Sequence, residues 1–132
     1  MGFIEVAEKM NVLVVDDDEG VRSSLSGFIE SERHTYRTAK NGIEALKMLE
    51  NELADLIITD ISMPKMTGIE LAKDIRAAYS QEDIKIVLSS GHQPTDSELR
   101  VIADIDIDDV IQKPFDISRL RQHLNPSQVE IS

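Results

Sequence analysis

Short apolar runs rich in β-branched residues alternate five times along this chain with longer stretches that are apolar on one helical face. The runs are Asn11–Val15, Thr35–Ala39, Leu56–Thr59, Ile84–Leu88 and Ile107–Ile111. The helical stripes follow in order: Val21, Leu25, Phe28 and Ile29; Ile43, Leu46 and Leu49; Gly68, Leu71, Ala72 and Ile75; Leu99, Ile102 and Ala103; Ile117, Leu120 and Leu124. A nearly continuous apolar run suits a strand buried on both faces, and spacing by three and four suits one side of a helix. Repetition of strand then helix implies parallel strands joined by right-handed crossovers, with helices on both sides. The expected fold is therefore α/β, a five-stranded parallel sheet doubly wound as (βα)5. Thr35–Ala39 is the most polar run and is expected at or near an edge. Glu19, Thr67 and Asp96 lie near expected helix starts, where acidic and hydroxyl groups serve unpaired N–H donors.

The chain has 132 residues, a length that suits one domain. Residues 10–124 are expected to form it, framed by an N-terminal extension, 1–9, and a C-terminal tail, 125–132. Pro126 discourages continuation of the last helix.

In an open parallel sheet the functional crevice lies beyond the carboxyl ends of the strands. Here the first run leads into Asp16-Asp17-Asp18-Glu19, the third into Asp60, the fourth into Ser89-Ser90, and the fifth into Lys113-Pro114. One edge of the sheet thus gathers several carboxylates, a hydroxyl and an ammonium. Carboxylates so placed repel one another and titrate as a coupled set. A hard divalent cation resolves the repulsion. Mg²⁺ suits one or two carboxylates, waters and phosphate oxygens, with Mn²⁺ a workable substitute, and no loop carries the spacing of a calcium-binding EF-hand. Phosphoryl transfer requires an in-line nucleophile, a metal and donors for the equatorial oxygens. Asp60 can be the nucleophile, Lys113 can neutralise charge, and Ser89 can donate to a phosphoryl oxygen.

Plainer readings hold for other residues. Asp18 and Glu19 are expected simply to favour a helix N-terminus. Ser90 is a small residue tolerated near the site. His34, His92 and His123 are expected to be surface histidines without metal-ligand spacing, and Asp104, Asp106, Asp108 and Asp109 a solvated stretch. Met63 and Met66 are expected to pack a loop.

Four segments, taken together, resemble the receiver domains of two-component response regulators: Val12–Asp18, Asp55–Gly68, Lys113-Pro114-Phe115, and Asn41–Leu46 at the opening of the second helix. The resemblance runs from about Met10 to Leu124. It implies a flavodoxin-like sheet of strand order 2-1-3-4-5. It also implies that Asp60 accepts a phosphoryl group from the phosphohistidine of a histidine kinase or phosphotransfer protein. Asp17 and Asp60 would coordinate Mg²⁺, Asp16 would act mainly through a bound water, and the main-chain carbonyl of Ser62 would complete the protein ligands. Lys113 would bridge to Asp60, the Lys113–Pro114 bond would be cis, and Gly68 would keep the following loop tight. Phosphorylation would draw Ser89 inward and alter the face formed by the fourth helix, fifth strand and fifth helix, where an output domain or partner protein would dock. A phosphorylation-dependent homodimer is a further expectation. The domain would catalyse only its own phosphorylation and dephosphorylation and so is not expected to be an enzyme.

Departures from the family pattern refine these expectations. The switch hydroxyl is a serine, and Val110 stands where an aromatic residue is common, so the familiar swing of a ring cannot operate in its usual form. Ser62 and Gly91 carry no amide or carboxylate to orient water, which points to slow autodephosphorylation. Two rival readings remain. A docking module independent of phosphorylation would be expected to lack the acidic pair, acceptor or lysine. An aspartyl phosphohydrolase would need a carboxylate where Ser62 stands. A flavin site is excluded by the acidic first loop.

Composition restricts partners and setting. Lys plus Arg number 14 and Asp plus Glu 25, giving a net charge of −11, which repels nucleic-acid backbones. There is no cysteine, hence no disulfide framework or thiolate metal site. The first residues lack the pattern of a secretory signal, and no apolar run approaches the ~20 residues of a membrane helix. The expected location is cytoplasmic.

Overall fold

The computed structural model describes residues 3–5, 9–126 and 128–130. Its elements are β1 (Phe3–Glu5), β2 (Asn11–Val15), α1 (Glu19–Ser31), β3 (Thr35–Ala39), α2 (Gly42–Asn51), β4 (Leu56–Asp60), α3 (Gly68–Ala78), β5 (Lys85–Ser90), α4 (Asp96–Ala103), β6 (Asp109–Gln112), α5 (Ile117–Leu124) and β7 (Gln128–Glu130). Strands β2 to β6 form a five-stranded sheet ordered β3-β2-β4-β5-β6, every pair parallel. Counting these five alone, the order is 2-1-3-4-5, as the resemblance implies, and Thr35–Ala39 is an edge.

Side-chain alternation divides the core into two layers. Leu13, Val15, Ile57, Ile86 and Leu88 face one side, where Ala45 and Leu49 of α2, Leu71, Ala72 and Ile75 of α3, and Ile102 of α4 cover them. Val12, Val14, Leu56, Ile58, Val87 and Ile111 face the other, under Leu25 and Ile29 of α1 and Leu120 and Leu124 of α5. Burial on both faces explains why β4 shows no exposed residue. The helices begin at side-chain caps, Asp18, Asn41, Thr67, Thr95 and Asp116; Thr67 with Glu70 and Thr95 with Glu98 close reciprocal capping boxes.

Several details differ from the sequence expectation. Ile43, Leu99 and Ile117 are exposed, so the stripes of α2, α4 and α5 are narrower than their spacing suggests. These helices have 10, 8 and 8 residues, and only a turn or two of each meets the sheet. The last core strand starts at Asp109, because the Ile107 amide donates to Ile105 O in a tight turn. The framing segments each contribute one short strand, and β1 pairs antiparallel with β7 in a second, two-stranded sheet.

Two of the three histidines are not surface groups. His34 is buried, its Nδ1 accepts from the Met10 amide at 2.9 Å, and its Nε2 faces Asn125 Oδ1 at 3.1 Å. His123 is half-buried beside Asp109, 2.9 Å away. His92 stays exposed. Nor is the acidic stretch wholly solvated. Asp108 accepts from the Ile86 amide at 2.7 Å and faces Arg76, while Asp109 pairs with Arg119 and His123. Pairing, which the sequence does not display, lets these charges lie partly out of water.

Candidate functional site

The carboxyl ends of β2, β4 and β5, with the segment after β6, carry the site. Asp16 follows β2 and is buried at 1% exposure. Its amide donates to Ala39 O, its Oδ1 accepts from the Asp18 amide at 2.9 Å, and its Oδ2 accepts from Lys113 Nζ at 2.8 Å. Asp17 is exposed at the mouth, and Asp18 turns away to cap α1 by accepting from the Val21 amide. Asp60 ends β4 and lies directly beside Ser89 in the β4–β5 register. Its Oδ1 accepts from the Ser62 amide at 3.4 Å, and its Oδ2 stands 3.3 Å from Lys113 Nζ. Ser89 is buried at 1% exposure.

Lys113 is placed by main-chain geometry. Its amide donates to Ser90 O at 2.7 Å, and the peptide to Pro114 is cis. Gly68 is placed by close approach. Its amide donates to Ile61 O, and a Cβ there would stand 2.1 Å from Asp60 O. No side chain fits, so only glycine lets α3 start against the end of β4. Ser90 has a structural task, its hydroxyl donating to His92 O across the turn after β5. Val110 is partly buried against the core.

The electrostatics follow from this packing. Burial, first, and the neighbouring Asp16 charge raise the Asp60 pKa above the ordinary aspartate value, and Lys113 only partly opposes them. Burial alone would lower the Lys113 pKa. Hydrogen bonding and attraction to Asp16, then to Asp60, outweigh it and hold the ammonium charged to higher pH than usual.

Asp16, Asp17 and Asp60 each offer a carboxylate oxygen, and these atoms lie within 4.8 Å of one another. Two of the carboxylates are buried and the third is exposed, so the group is walled by protein on one side and open to solvent on the other. An all-oxygen donor set of this kind suits a hard divalent ion that retains waters. Ser62 lies two residues past the end of β4, its side chain exposed.

One residue of the site went unmarked in the sequence. Arg22, at the end of the first turn of α1, donates from Nη1 to the main-chain oxygen of Asp16 at 2.7 Å. The available signal was a cation near a helix N-terminus, where the dipole disfavours it.

Among the described residues no helix is long and apolar enough to cross a membrane. The family model for the response regulator receiver domain matches residues 12–125. The chain is 32% identical over 111 residues to the response regulator MprA of Mycobacterium ulcerans, covering 84% of this chain and 47% of that protein. It thus spans about half the length of the curated relatives it matches. Among solved structures, a response regulator receiver protein from Pseudomonas putida superposes with a TM-score of 0.81 at 28% identity, covering 92% of this chain and all of that one. The receiver domain of Saccharomyces cerevisiae Ssk1, solved with the histidine phosphotransfer protein Ypd1, superposes with a TM-score of 0.76 at 28% identity, covering 90% and 88%. With its strand order, its acidic trio and its lysine in place, this chain belongs to the response regulator receiver domain family of two-component signalling.

Proposed function

We propose that the domain accepts a phosphoryl group on Asp60 from the phosphohistidine of a histidine kinase or phosphotransfer protein. The observation that carries this reading is the convergence of Asp16, Asp17 and Asp60 with the Lys113 ammonium in one crevice. In the step, an Asp60 carboxylate oxygen attacks phosphorus and the bond from phosphorus to the donor's imidazole nitrogen breaks. The nitrogen leaves with its electron pair, and with the donor's other ring nitrogen protonated the leaving group is neutral imidazole. Lys113 offsets charge on the transferred group, and the Ser89 hydroxyl donates to one of its oxygens. Asp16, Asp17 and Asp60, with the Ser62 main-chain carbonyl, would hold Mg²⁺, which would supply charge neutralisation for the transferred group.

Phosphorylation then biases a two-state surface. Its output face is α4, β6 and α5, where an open groove is lined by residues including Pro94, Leu99, Val110, Gln112 and Arg119. The partner is protein rather than nucleic acid, given the net charge of −11. The domain modifies only itself, turns over no substrate and works in the cytoplasm. The Ypd1-bound relative supports a phosphotransfer protein as donor. Phosphoramidate, whose P–N bond stands in for phosphohistidine, tests the reading. It should yield an acyl phosphate that hydroxylamine removes, only with Mg²⁺ present. An adduct stable to hydroxylamine would place the phosphate on another residue.

A further inference from the structure

We propose that Arg22 is a positioning residue for the metal site, acting by fixing the peptide that joins Asp16 to Asp17. This inference rests on the phosphoacceptor reading above. The Asp16 carbonyl is part of that peptide, so its plane governs how the two consecutive carboxylates are aimed. Arg22 Nη1 donates to this oxygen at 2.7 Å. The other end of the turn is held by the first main-chain bond of α1, the Arg22 amide donating to Asp18 O at 3.1 Å, which leaves the side chain's bond to Asp16 O as the part that substitution removes. The Asp16–Asp18 turn is thereby gripped from α1 at both ends, while the Asp18 amide on Asp16 Oδ1 braces it from within.

The geometry separates this role from simple charge neutralisation. Arg22 is half-buried beside an acidic cluster, yet among the described residues its guanidinium forms no ion pair with any carboxylate. Lys113 holds Asp16 and Asp60 instead. A guanidinium that bypasses carboxylates for a carbonyl is serving as a directed donor, a task its planar fork suits. The position also runs against the helix dipole, which disfavours a cation in the first turn of α1. Groups that orient metal ligands from behind typically change metal affinity by about 10- to 100-fold when removed.

Removal of Arg22 has two opposed effects, and this makes the test decisive. Loss of its charge alone would tighten binding of a dication to three carboxylates. Loss of its hydrogen bond would loosen the aim of Asp17. The variants are Arg22→Met, which removes both, and Arg22→Lys, which keeps the charge and one donor. Two readouts apply: Mg²⁺ affinity by titration calorimetry, and the Asp17 amide ¹⁵N–¹H cross-peak in metal-free protein, since that amide lies in the gripped peptide. Arg22→Met should weaken Mg²⁺ binding about tenfold and shift the Asp17 cross-peak before any metal is added. Arg22→Lys should restore most of the affinity. Equal or tighter Mg²⁺ binding by Arg22→Met, with the Asp17 cross-peak unmoved, would overturn the proposal. Failure of the unmodified protein to bind Mg²⁺ would instead contradict the phosphoacceptor reading, while the metal-free cross-peak would still report on Arg22.

Discussion

Lys113 Nζ lies 2.8 Å from Asp16 Oδ2 and 3.3 Å from Asp60 Oδ2, so the ammonium is held more closely by the metal-site carboxylate than by the acceptor. The family resemblance implies a bridge to Asp60, and the structure shows one shared with Asp16 and weighted toward it. The arrangement leaves the Asp60 oxygen less committed to the lysine than a direct pair would, as suits a nucleophile.

Removing that ammonium leaves two buried carboxylates facing each other without a counter-charge. Lys113→Met should destabilise the metal-free protein by about 2 kcal/mol at neutral pH, the cost of unpairing a buried charge after partial relaxation. Mg²⁺ should restore more stability to this variant than to the parent, because the dication takes over the neutralising role. Urea unfolding with and without Mg²⁺ checks both statements.

Asp60→Asn should behave in the opposite way. The Asp60 pKa is raised on folding by burial and by Asp16, so the folded chain holds that proton more tightly than the unfolded chain does. Stability from this group is present below the ordinary aspartate value and falls as pH rises through the raised one. The asparagine variant, always neutral there, should melt higher than the parent at pH 7 without Mg²⁺. Below the ordinary aspartate value of 3.8 the advantage should vanish. Thermal melts across pH would read the crossover.

The glycines at two helix starts should respond differently to the same substitution. A Cβ at Gly68 would meet the Asp60 main-chain oxygen at 2.1 Å, and neither strand nor helix can yield. Gly68→Ala should cost about 3 kcal/mol or more and disturb the acceptor. A Cβ at Gly42 would meet Met66 Sδ at 2.7 Å, Cγ at 2.9 Å and Cβ at 3.1 Å, all side-chain atoms that a shift of Met66 can relieve, whereas at Gly68 the obstacle is main chain. Gly42→Ala should therefore cost less than Gly68→Ala, by about 1 to 2 kcal/mol, since Met66 can repack and alanine is the better helix former. Denaturant midpoints of the two variants settle the contrast.

Arg76 ties three segments together, donating to Asp106 O at 2.7 Å, to Ser80 O at 3.2 Å and to Ile84 O at 2.6 Å, and facing Asp108 at 3.5 Å. Burial lowers its pKa, and Asp108 and Asp106 oppose the shift. Arg76→Met should cost about 2 kcal/mol, because Asp106 O and Ile84 O lose the guanidinium donor and Asp108 loses its counter-charge, while Ser80 O keeps the Asp83 and Ile84 amides. Hydrogen exchange should quicken first in the 79–86 segment and at the start of β6.

The sheet and the acidic trio were legible in the sequence for a physical reason. Strands buried on both faces must be apolar throughout, and the groups at their carboxyl ends must then converge, so Asp16, Asp60 and Ser89 follow from Val12–Val15, Leu56–Thr59 and Ile84–Leu88. Less could be read where partners are distant in the chain. His34 looked like a surface residue because its partners, Met10 and Asn125, are 24 and 91 positions away. Asp108 looked like a solvated charge for the same reason, its partners Arg76 and Ile86 being distant in the chain. Ile43, Leu99 and Ile117 fit helical spacing, yet spacing cannot tell how many turns of a short helix reach the sheet. Arg22 offered only the signal of a cation near a helix start, because its acceptor is a main-chain oxygen, which no side-chain pattern reveals.

The central claim is that Asp60 accepts a phosphoryl group within this crevice. Intact-protein mass after incubation with acetyl phosphate and Mg²⁺ tests it most directly, with Asp60→Asn as the control. A single phosphate adduct on the parent, absent from Asp60→Asn and absent without Mg²⁺, is the predicted result. An adduct that persists in Asp60→Asn, or no adduct under conditions in which Mg²⁺ is bound, would contradict it.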